Sequence, residues 1–209
     1  MAVHQTTGRP MSRGRDVRDW RERVPVLSSR TVTLREICAA DAPMLVRELS
    51  AASVAEHIRP APPSVEGFKR YVRWAQQQRR AGVHVSFGIV PPGHRHAVGV
   101  VQMWPIEPDF STAEWGLALG ETYWGRGLGL ASARLLIDFA VSRMGVCRLE
   151  ARSVDANHGM NAILRKVGAV PEGRLRNGFR CGDVVRDYVM WAVLAEDWQS
   201  QRLRERLAH

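Results

Sequence analysis

Glu121-Thr-Tyr-Trp-Gly125-Arg126-Gly127-Leu128-Gly129-Leu130-Ala131-Ser132-Ala133 places three glycines within five residues, directly before a segment of helical periodicity. Glycine lets backbone N–H groups approach a phosphate without obstruction, and a helix start adds unpaired donors and the positive end of its dipole. The preceding residues 114–119 have the half-apolar composition of a strand. The stretch therefore predicts a strand, a glycine turn that binds an anion, and a helix.

Several kinds of protein use such a unit. A Walker A loop needs Lys and then Ser or Thr after its last glycine, but Leu130 and Ala131 stand there. A dinucleotide fingerprint of the form G-x-G-x-x-G is disfavoured, although Glu150 lies near the distance at which that motif places its acidic residue. A glycine turn that only reverses the chain is the remaining alternative, and it does not require Gly-x-Gly leading into a helix.

Two further segments accompany the glycine loop in a fixed order. One runs from Asn157 through Lys166 to Gly168, and the other from Glu172-Gly173-Arg174 to Trp191. With Tyr123-Trp124-Gly125 opening the loop, residues 26–194 resemble the GNAT acyl-CoA-dependent N-acetyltransferases, most closely the ribosomal-protein alanine N-acetyltransferase-like branch. Three blocks in the right order are far more specific than one glycine loop.

The resemblance implies an α/β GNAT fold. It has a central twisted mixed sheet of about seven strands, flanked by about four helices, with strands splayed at the acetyl-CoA site. The domain is predicted over residues 26–195, after a basic arm over 1–25 that is mobile or peripheral. A helical tail is predicted over 196–209.

Acetyl-CoA is the co-substrate that the resemblance implies. The backbone of Leu117, Ala118 and Leu119 would pair with the pantetheine arm, and one N–H there would face the oxyanion. Loop amides would hold the pyrophosphate, and Asn157 resembles the asparagine that contacts CoA. The other predicted cofactor-binding residues are Trp124, Gly125, Arg126, Gly127, Leu128, Gly129, Leu130 and Ala131.

N-acetyl transfer must remove a proton from the amine, stabilise an oxyanion and protonate the departing thiolate. Glu114 is the predicted base, because many relatives carry a carboxylate at its place. Relatives supply the acid as Ser at the position of Met160, or as Tyr at that of Leu164, and neither replacement gives up a proton. The predicted substitutes are Tyr123, His158 and Tyr188.

Composition limits the partners. The net charge of +9 suggests acidic partners, such as CoA phosphates, or RNA or the ribosome through the basic arm. Of 30 lysines and arginines only Lys69 and Lys166 are lysines. The arginines are interleaved with acidic residues, a pattern more typical of solvated surface segments than of a surface that binds nucleic acid. Contact with nucleic acid or the ribosome is therefore the less favoured alternative, and we expect a monomer or a homodimer.

The remaining composition predicts a cytoplasmic protein without a signal peptide, a membrane span or a metal. No apolar run approaches the ~18 residues that a span needs. The three cysteines are far apart and are predicted to be reduced thiols. The sequence His94-Arg95-His96 follows Pro91-Pro92-Gly93 and is interpreted as a hairpin tip.

Periodicity predicts the order of elements. Asp41 is predicted to cap a first helix, and Ser64 to begin a second that reaches about Arg80. The other predicted elements are strands over 31–36, 83–89, 98–104, 112–119 and 147–154, helices over 127–143 and 157–167, and two final strands.

Two functions from different classes remain open. The first is an N-acetyltransferase whose acceptor is a primary amine, either a protein N-terminus or a small molecule such as a polyamine or aminoglycoside. The second is a catalytically weak or inactive acyl-CoA-binding module. Glu114 favours the first, whereas Met160 and Leu164 favour the second. The acidic residues that would attract a polycation are few: Glu56, Glu66, Glu107 and Asp109.

Overall fold

A computed structural model describes residues 20–207, which contain one eight-stranded mixed sheet. Its strand order is β1-β2-β3-β4-β5-β6-β8-β7, and every pairing is antiparallel except the parallel pairing of β5 with β6. The strands are β1 Leu27–Ser28, β2 Thr33–Glu36, β3 Val85–Val90, β4 Gly99–Pro105, β5 Thr112–Leu119, β6 Arg148–Val154, β7 Val170–Cys181 and β8 Val184–Leu194. The predicted mixed α/β sheet is confirmed, with the two-residue β1 as an additional strand.

Helices cover both faces of the sheet. The described helices are α1 Ala42–Leu49, α2 Ala52–Ala55, α3 Val65–Arg80, α4 Leu128–Phe139, α5 His158–Lys166 and α6 Ala195–Leu207. The neighbours Val100 and Val101 on β4 point to opposite faces, since Val100 joins the apolar cluster under α1 and α3 and Val101 the cluster under α4 and α6. The helix predicted to reach residue 143 ends at Phe139 and continues as a π-helical turn, Ala140–Met144.

The two predicted helix caps differ in outcome. Ser64 caps α3 as predicted, because its Oγ accepts from the Gly67 amide at 3.1 Å. Asp41 precedes α1, but its side chain does not cap that helix. The buried carboxylate instead accepts hydrogen bonds from the two terminal guanidinium nitrogens of Arg35, at 2.7 and 2.8 Å, and from the Ala97 amide at 2.9 Å. A buried carboxylate needs such partners, and this need overrides the local capping preference.

Both predicted peripheral segments contribute to the core where they are described. Residues 1–19 of the predicted arm lie outside the described range, but Trp20 and Val24 are buried, and Trp20 packs edge-on against Phe110. The predicted tail forms α6, whose buried Trp198 donates its Nε1–H to Asp138 at 2.7 Å. Core packing therefore begins before residue 26 and continues beyond residue 195.

The central parallel pair separates partway along its length. Pairing between β5 and β6 runs from Thr112–Arg148 to Glu114–Glu150. Beyond that point β5 remains paired with β4 as far as Leu119, and β6 with β8 as far as Val154. The sheet thus opens in its middle while both halves keep their outer hydrogen bonds, which confirms the predicted splay.

Candidate active site

The glycine loop opens α4 with its backbone uncovered. Gly125 and Gly127 have φ values of +72° and +76°, in the left-handed region that glycine adopts without strain. A Cβ atom at either position would meet nothing within 4 Å. The amides of Leu128, Gly129 and Leu130 belong to the first helical turn and therefore have no partner within the helix. These donors and the helix dipole form a site for an anion.

Three side-chain hydrogen bonds fix this loop to its surroundings. Trp124 Nε1 donates to the Leu119 carbonyl at 2.8 Å, which ties the loop to the end of β5. Ser53 Oγ donates to Glu121 at 2.6 Å, and Thr122 Oγ1 donates to Glu48 at 3.0 Å. The loop is thereby held between the opened sheet and the helices α1 and α2.

A cavity of about 530 Å³, here called the loop cavity, lies between the glycine loop and the start of α5. Its wall includes Tyr123, His158 and Lys166. Ten of the twelve residues predicted to contact the cofactor line it: Asn157 and, on the strand and loop, Leu117, Ala118, Leu119, Trp124, Gly125, Gly127, Leu128, Gly129 and Leu130. Lys166 adds a positive charge that suits phosphate.

A second cavity of about 640 Å³, the strand cavity, lies on the other side of the opening. Glu114, Arg152 and Tyr188 line it from β5, β6 and β8. The segment 57–62 and Tyr71 close it from the helical side.

The two cavities meet at the separated strands. Six residues line both of them, and this set is called the junction: His57, Ile58, Leu117, Ala118, Asn157 and Met160. A ligand in the loop cavity and a ligand in the strand cavity would therefore meet between the free edge of β5 and the first turn of α5.

Two of the predicted cofactor residues, Arg126 and Ala131, lie outside the wall of the loop cavity. The Ala131 amide donates to the Gly127 carbonyl at 3.0 Å within α4, so this amide already has a partner. The Arg126 guanidinium lies 5.6 Å from the centre of the Tyr123 ring. Asn157 Oδ1 caps α5 through the Met160 amide at 2.9 Å, which leaves its NH₂ group as the donor for a ligand.

The four predicted catalytic residues do not share one cavity. Tyr123 and the exposed His158 line the loop cavity, whereas Glu114 and Tyr188 line the strand cavity. None of them belongs to the junction. Of the two positions that lack the family's acid, Met160 lies at the junction, but Leu164 is fully buried in the core and lines neither cavity.

Burial dominates the electrostatics of Glu114. Its side chain is 15% exposed, and Arg152 Nε lies 3.5 Å from its Oε1. Loss of solvation raises the pKa of Glu114 above its ordinary value, and this effect outweighs the Arg152 charge, which acts in the opposite direction. A carboxylate with a raised pKa is a stronger proton acceptor when ionised.

Sequence reasoning missed most of the strand-cavity wall. Arg59 carries no functional signal because it lies in a proline-rich segment, and Arg152 carries none because arginines are common along this chain. Tyr71 and Gln102 lie on a helix and a strand far apart in sequence, yet Tyr71 OH donates to Gln102 Oε1 at 2.7 Å. The free β5 edge, where these elements converge, has no signal in the local residue pattern, and only the family resemblance implies it.

Two general findings bear on the class of site. Within residues 20–207, no group of three or more His, Cys, Asp or Glu side chains is placed to hold a metal ion. Nor does that range contain a helix long and apolar enough to cross a membrane.

His94 lies at the predicted hairpin turn, where its amide donates to the Pro91 carbonyl at 3.1 Å and its ring packs against Tyr123.

An α/β sheet that opens between two parallel strands beside a glycine loop is the architecture of an acyl-CoA-dependent transferase. Residues 31–170, well over half of the chain, match the family model described as an acetyltransferase (GNAT) domain. The chain therefore belongs to the GNAT family of acetyltransferases and is an acyltransferase.

Individual relatives agree with this assignment. The probable N-acetyltransferase YjcK of Bacillus subtilis is 27% identical over 135 residues, which cover 64% of this chain and 75% of YjcK. The ribosomal-protein-S5-alanine acetyltransferase of Vibrio fischeri superposes with a TM-score of 0.75 at 17% identity, over 83% of this chain and 98% of that one. RimJ of Mycobacterium smegmatis, solved in complex with CoA-disulfide, superposes with a TM-score of 0.73 at 22% identity. The superposition covers 83% of this chain and 87% of that one.

The loop geometry predicts that Gly127→Glu strongly weakens CoA binding. The new carboxylate would lie where the helix start attracts an anion, so it would repel the pyrophosphate, and its side chain would obstruct the loop amides. Because both effects oppose binding, we expect CoA affinity to fall by about 10²-fold or more. Isothermal titration calorimetry measures this change.

Gly145→Glu is the matched control. Gly145 has φ +77° and an equally open Cβ position, but it follows the π-helical turn Ala140–Met144 beyond the C-terminal end of α4. Both substitutions therefore impose the same backbone strain and charge, and only the first should weaken CoA. Equal affinity in the two folded variants would remove the loop from the CoA site.

Proposed function

We propose that the protein transfers the acetyl group of acetyl-CoA to a primary amine. The observation that carries this proposal is the junction, where a cavity suited to a pyrophosphate meets a cavity that contains a buried carboxylate. The separated strands β5 and β6 leave room for a thioester to reach that point. Acetyl-CoA would enter through the loop cavity and the amine through the strand cavity.

On the cofactor side, the amides of Leu128, Gly129 and Leu130 would bind the pyrophosphate, and Lys166 would add a cation. The β5 edge at Leu117 and Ala118 lies at the junction and has no partner strand on the β6 side within the described residues. Its backbone groups would pair with the pantetheine amides. One N–H of this edge, fixed in place before reaction, would stabilise the oxyanion of the tetrahedral intermediate.

On the acceptor side, Glu114 would take the proton that the amine loses, directly or through a water molecule. Its raised pKa brings it closer to the working pH, as general base catalysis requires. The nearby Arg152 charge opposes the effect of burial on the pKa of Glu114 and so favours the ionised carboxylate.

The charges of the strand cavity favour a protein N-terminus over a polycation. Arg59 and Arg152 line it, against the single carboxylate Glu114. None of the four acidic residues that the sequence offers for binding a cationic antibiotic lines either cavity. A polyamine or aminoglycoside would place several positive charges beside two arginines, whereas a peptide presents one amine and uncharged or acidic neighbours.

Thiol release from acetyl-CoA tests the function. We expect turnover with peptides that carry a free N-terminus, faster when acidic residues follow the first position than when lysines do. Spermidine and kanamycin should react more slowly than either. Binding of acetyl-CoA without thiol release across all these amines would instead support the acyl-CoA-binding module.

Glu114→Gln should lower kcat by about 10²-fold with unchanged CoA affinity, the usual scale for loss of a general base. In the parent, activity should fall as the pH drops through the raised pKa of Glu114, because the protonated carboxyl cannot accept a proton. This acid limb should vanish in the variant. Stopped-flow or steady-state thiol release over a pH series measures both effects.

Glu150→Gln is the control for this substitution. Glu150 pairs directly with Glu114 across the strands but lines neither cavity, and its charge raises the pKa of Glu114. The Glu150→Gln variant should retain activity. Its activity should begin to fall only at a lower pH than in the parent, because removing the Glu150 charge lowers the pKa of Glu114. A Glu114→Gln protein with the parent's rate at every pH would exclude Glu114 as the base.

A further inference from the structure

His57 is the only junction side chain among the described residues that can exchange a proton. Of the six junction residues, four are apolar: Ile58, Leu117, Ala118 and Met160. Asn157 is polar, but its amide does not ionise and its Oδ1 caps α5. An imidazole both holds and releases a proton near neutral pH.

The fold holds His57 at this place from two sides. Its amide donates to the Val54 carbonyl at 3.0 Å, and Val54 is buried at the end of α2. One turn earlier Ser53 bonds to Glu121 of the segment that leads into the glycine loop. Pro60 then restricts the chain that follows. The backbone at His57 is therefore held beside both the loop cavity and the β5 edge, and its side chain lines both cavities.

Structural hydrogen bonding does not account for this histidine. His57 Nδ1 is buried and has no hydrogen-bond partner in the part of the chain that the structure describes. Buried polar atoms in folded proteins are paired in the great majority of cases, and an exception calls for a reason such as catalysis. His57 thus combines an unsatisfied buried nitrogen with a position where the acetyl group would change hands.

We propose that His57 is the general acid that protonates the departing CoA sulfur; this assignment rests on the proposed function. The amine nitrogen attacks the acetyl carbon, the C–N bond forms, and the carbonyl electron pair moves to oxygen. The amine proton passes to Glu114. When the intermediate collapses, the C–S bond breaks, its electron pair goes to sulfur, and the His57 imidazolium supplies the proton that makes the thiol.

The proton balance closes without another reactant. Nitrogen loses one proton to Glu114 and sulfur gains one from His57. Glu114 then returns its proton to solvent, and the neutral imidazole takes one from solvent, so the enzyme regains its starting state. The position of His57 also separates it from Tyr123 and His158, which line only the loop cavity, and from Tyr188, which lines only the strand cavity.

The experiment combines His57→Ala and His57→Gln with chemical rescue. Both variants should bind acetyl-CoA like the parent in calorimetry, and their kcat for thiol release should fall by about tenfold to 10²-fold, at the lower end for general acid catalysis because a thiolate is a tolerable leaving group. Added imidazole should restore part of the His57→Ala rate. Thiazole, a ring of similar shape but much weaker basicity, should not.

His96→Gln is the control, because His96 is 44% exposed and lines neither cavity. It should keep the parent's rate. The assignment is overturned if the His57 variants turn over like the parent, or if thiazole rescues as well as imidazole, which would mean that the ring only fills space. Absence of turnover in the parent itself would overturn the proposed function and, with it, this role for His57.

Discussion

The separation of β5 from β6 after Glu114 is the constraint on which the rest of the site depends. Beyond this point the facing edges of β5 and β6 no longer pair with each other, while β5 stays paired with β4 and β6 with β8, so unpaired main-chain groups face the opening. An unpaired backbone N–H inside a protein is costly unless a ligand satisfies it. The opening therefore supplies both a passage through the sheet and the donors that would hold an acyl group within it.

The surrounding elements give each end of this passage a different chemistry. On one side, left-handed glycines and the start of α4 present amides to an anion. On the other, burial raises the pKa of Glu114 while Arg152 limits that rise, so the carboxylate combines basicity with ionisation. Hydrogen bonds from Ser53 and Thr122 connect α1 and α2 to the loop, and so the segment around His57 is positioned with the anion site.

Local patterns predicted much of this fold, because they report on backbone conformation. Alternation located β5 at 112–119, and the glycines located the start of α4 within one residue. The predicted capping of α1 by Asp41 failed for a physical reason. The Asp41 carboxylate accepts hydrogen bonds from Arg35 and from two backbone amides, and the residues next to it in sequence do not reveal these partners. The strand-cavity wall is assembled from distant elements, so neither Arg59 nor His57 carried a local signal. The extent of β5–β6 pairing is likewise a property of the whole sheet.

A crystal structure with bound acetyl-CoA tests the central claim most directly. The account predicts a pyrophosphate within hydrogen-bonding distance of the Leu128–Leu130 amides and a pantetheine arm paired with the free edge of β5. The thioester carbon should lie at the junction, between the β5 edge and Met160. An acetyl group placed outside the opening, or strands β5 and β6 paired beyond Glu114 with the cofactor elsewhere, would contradict it.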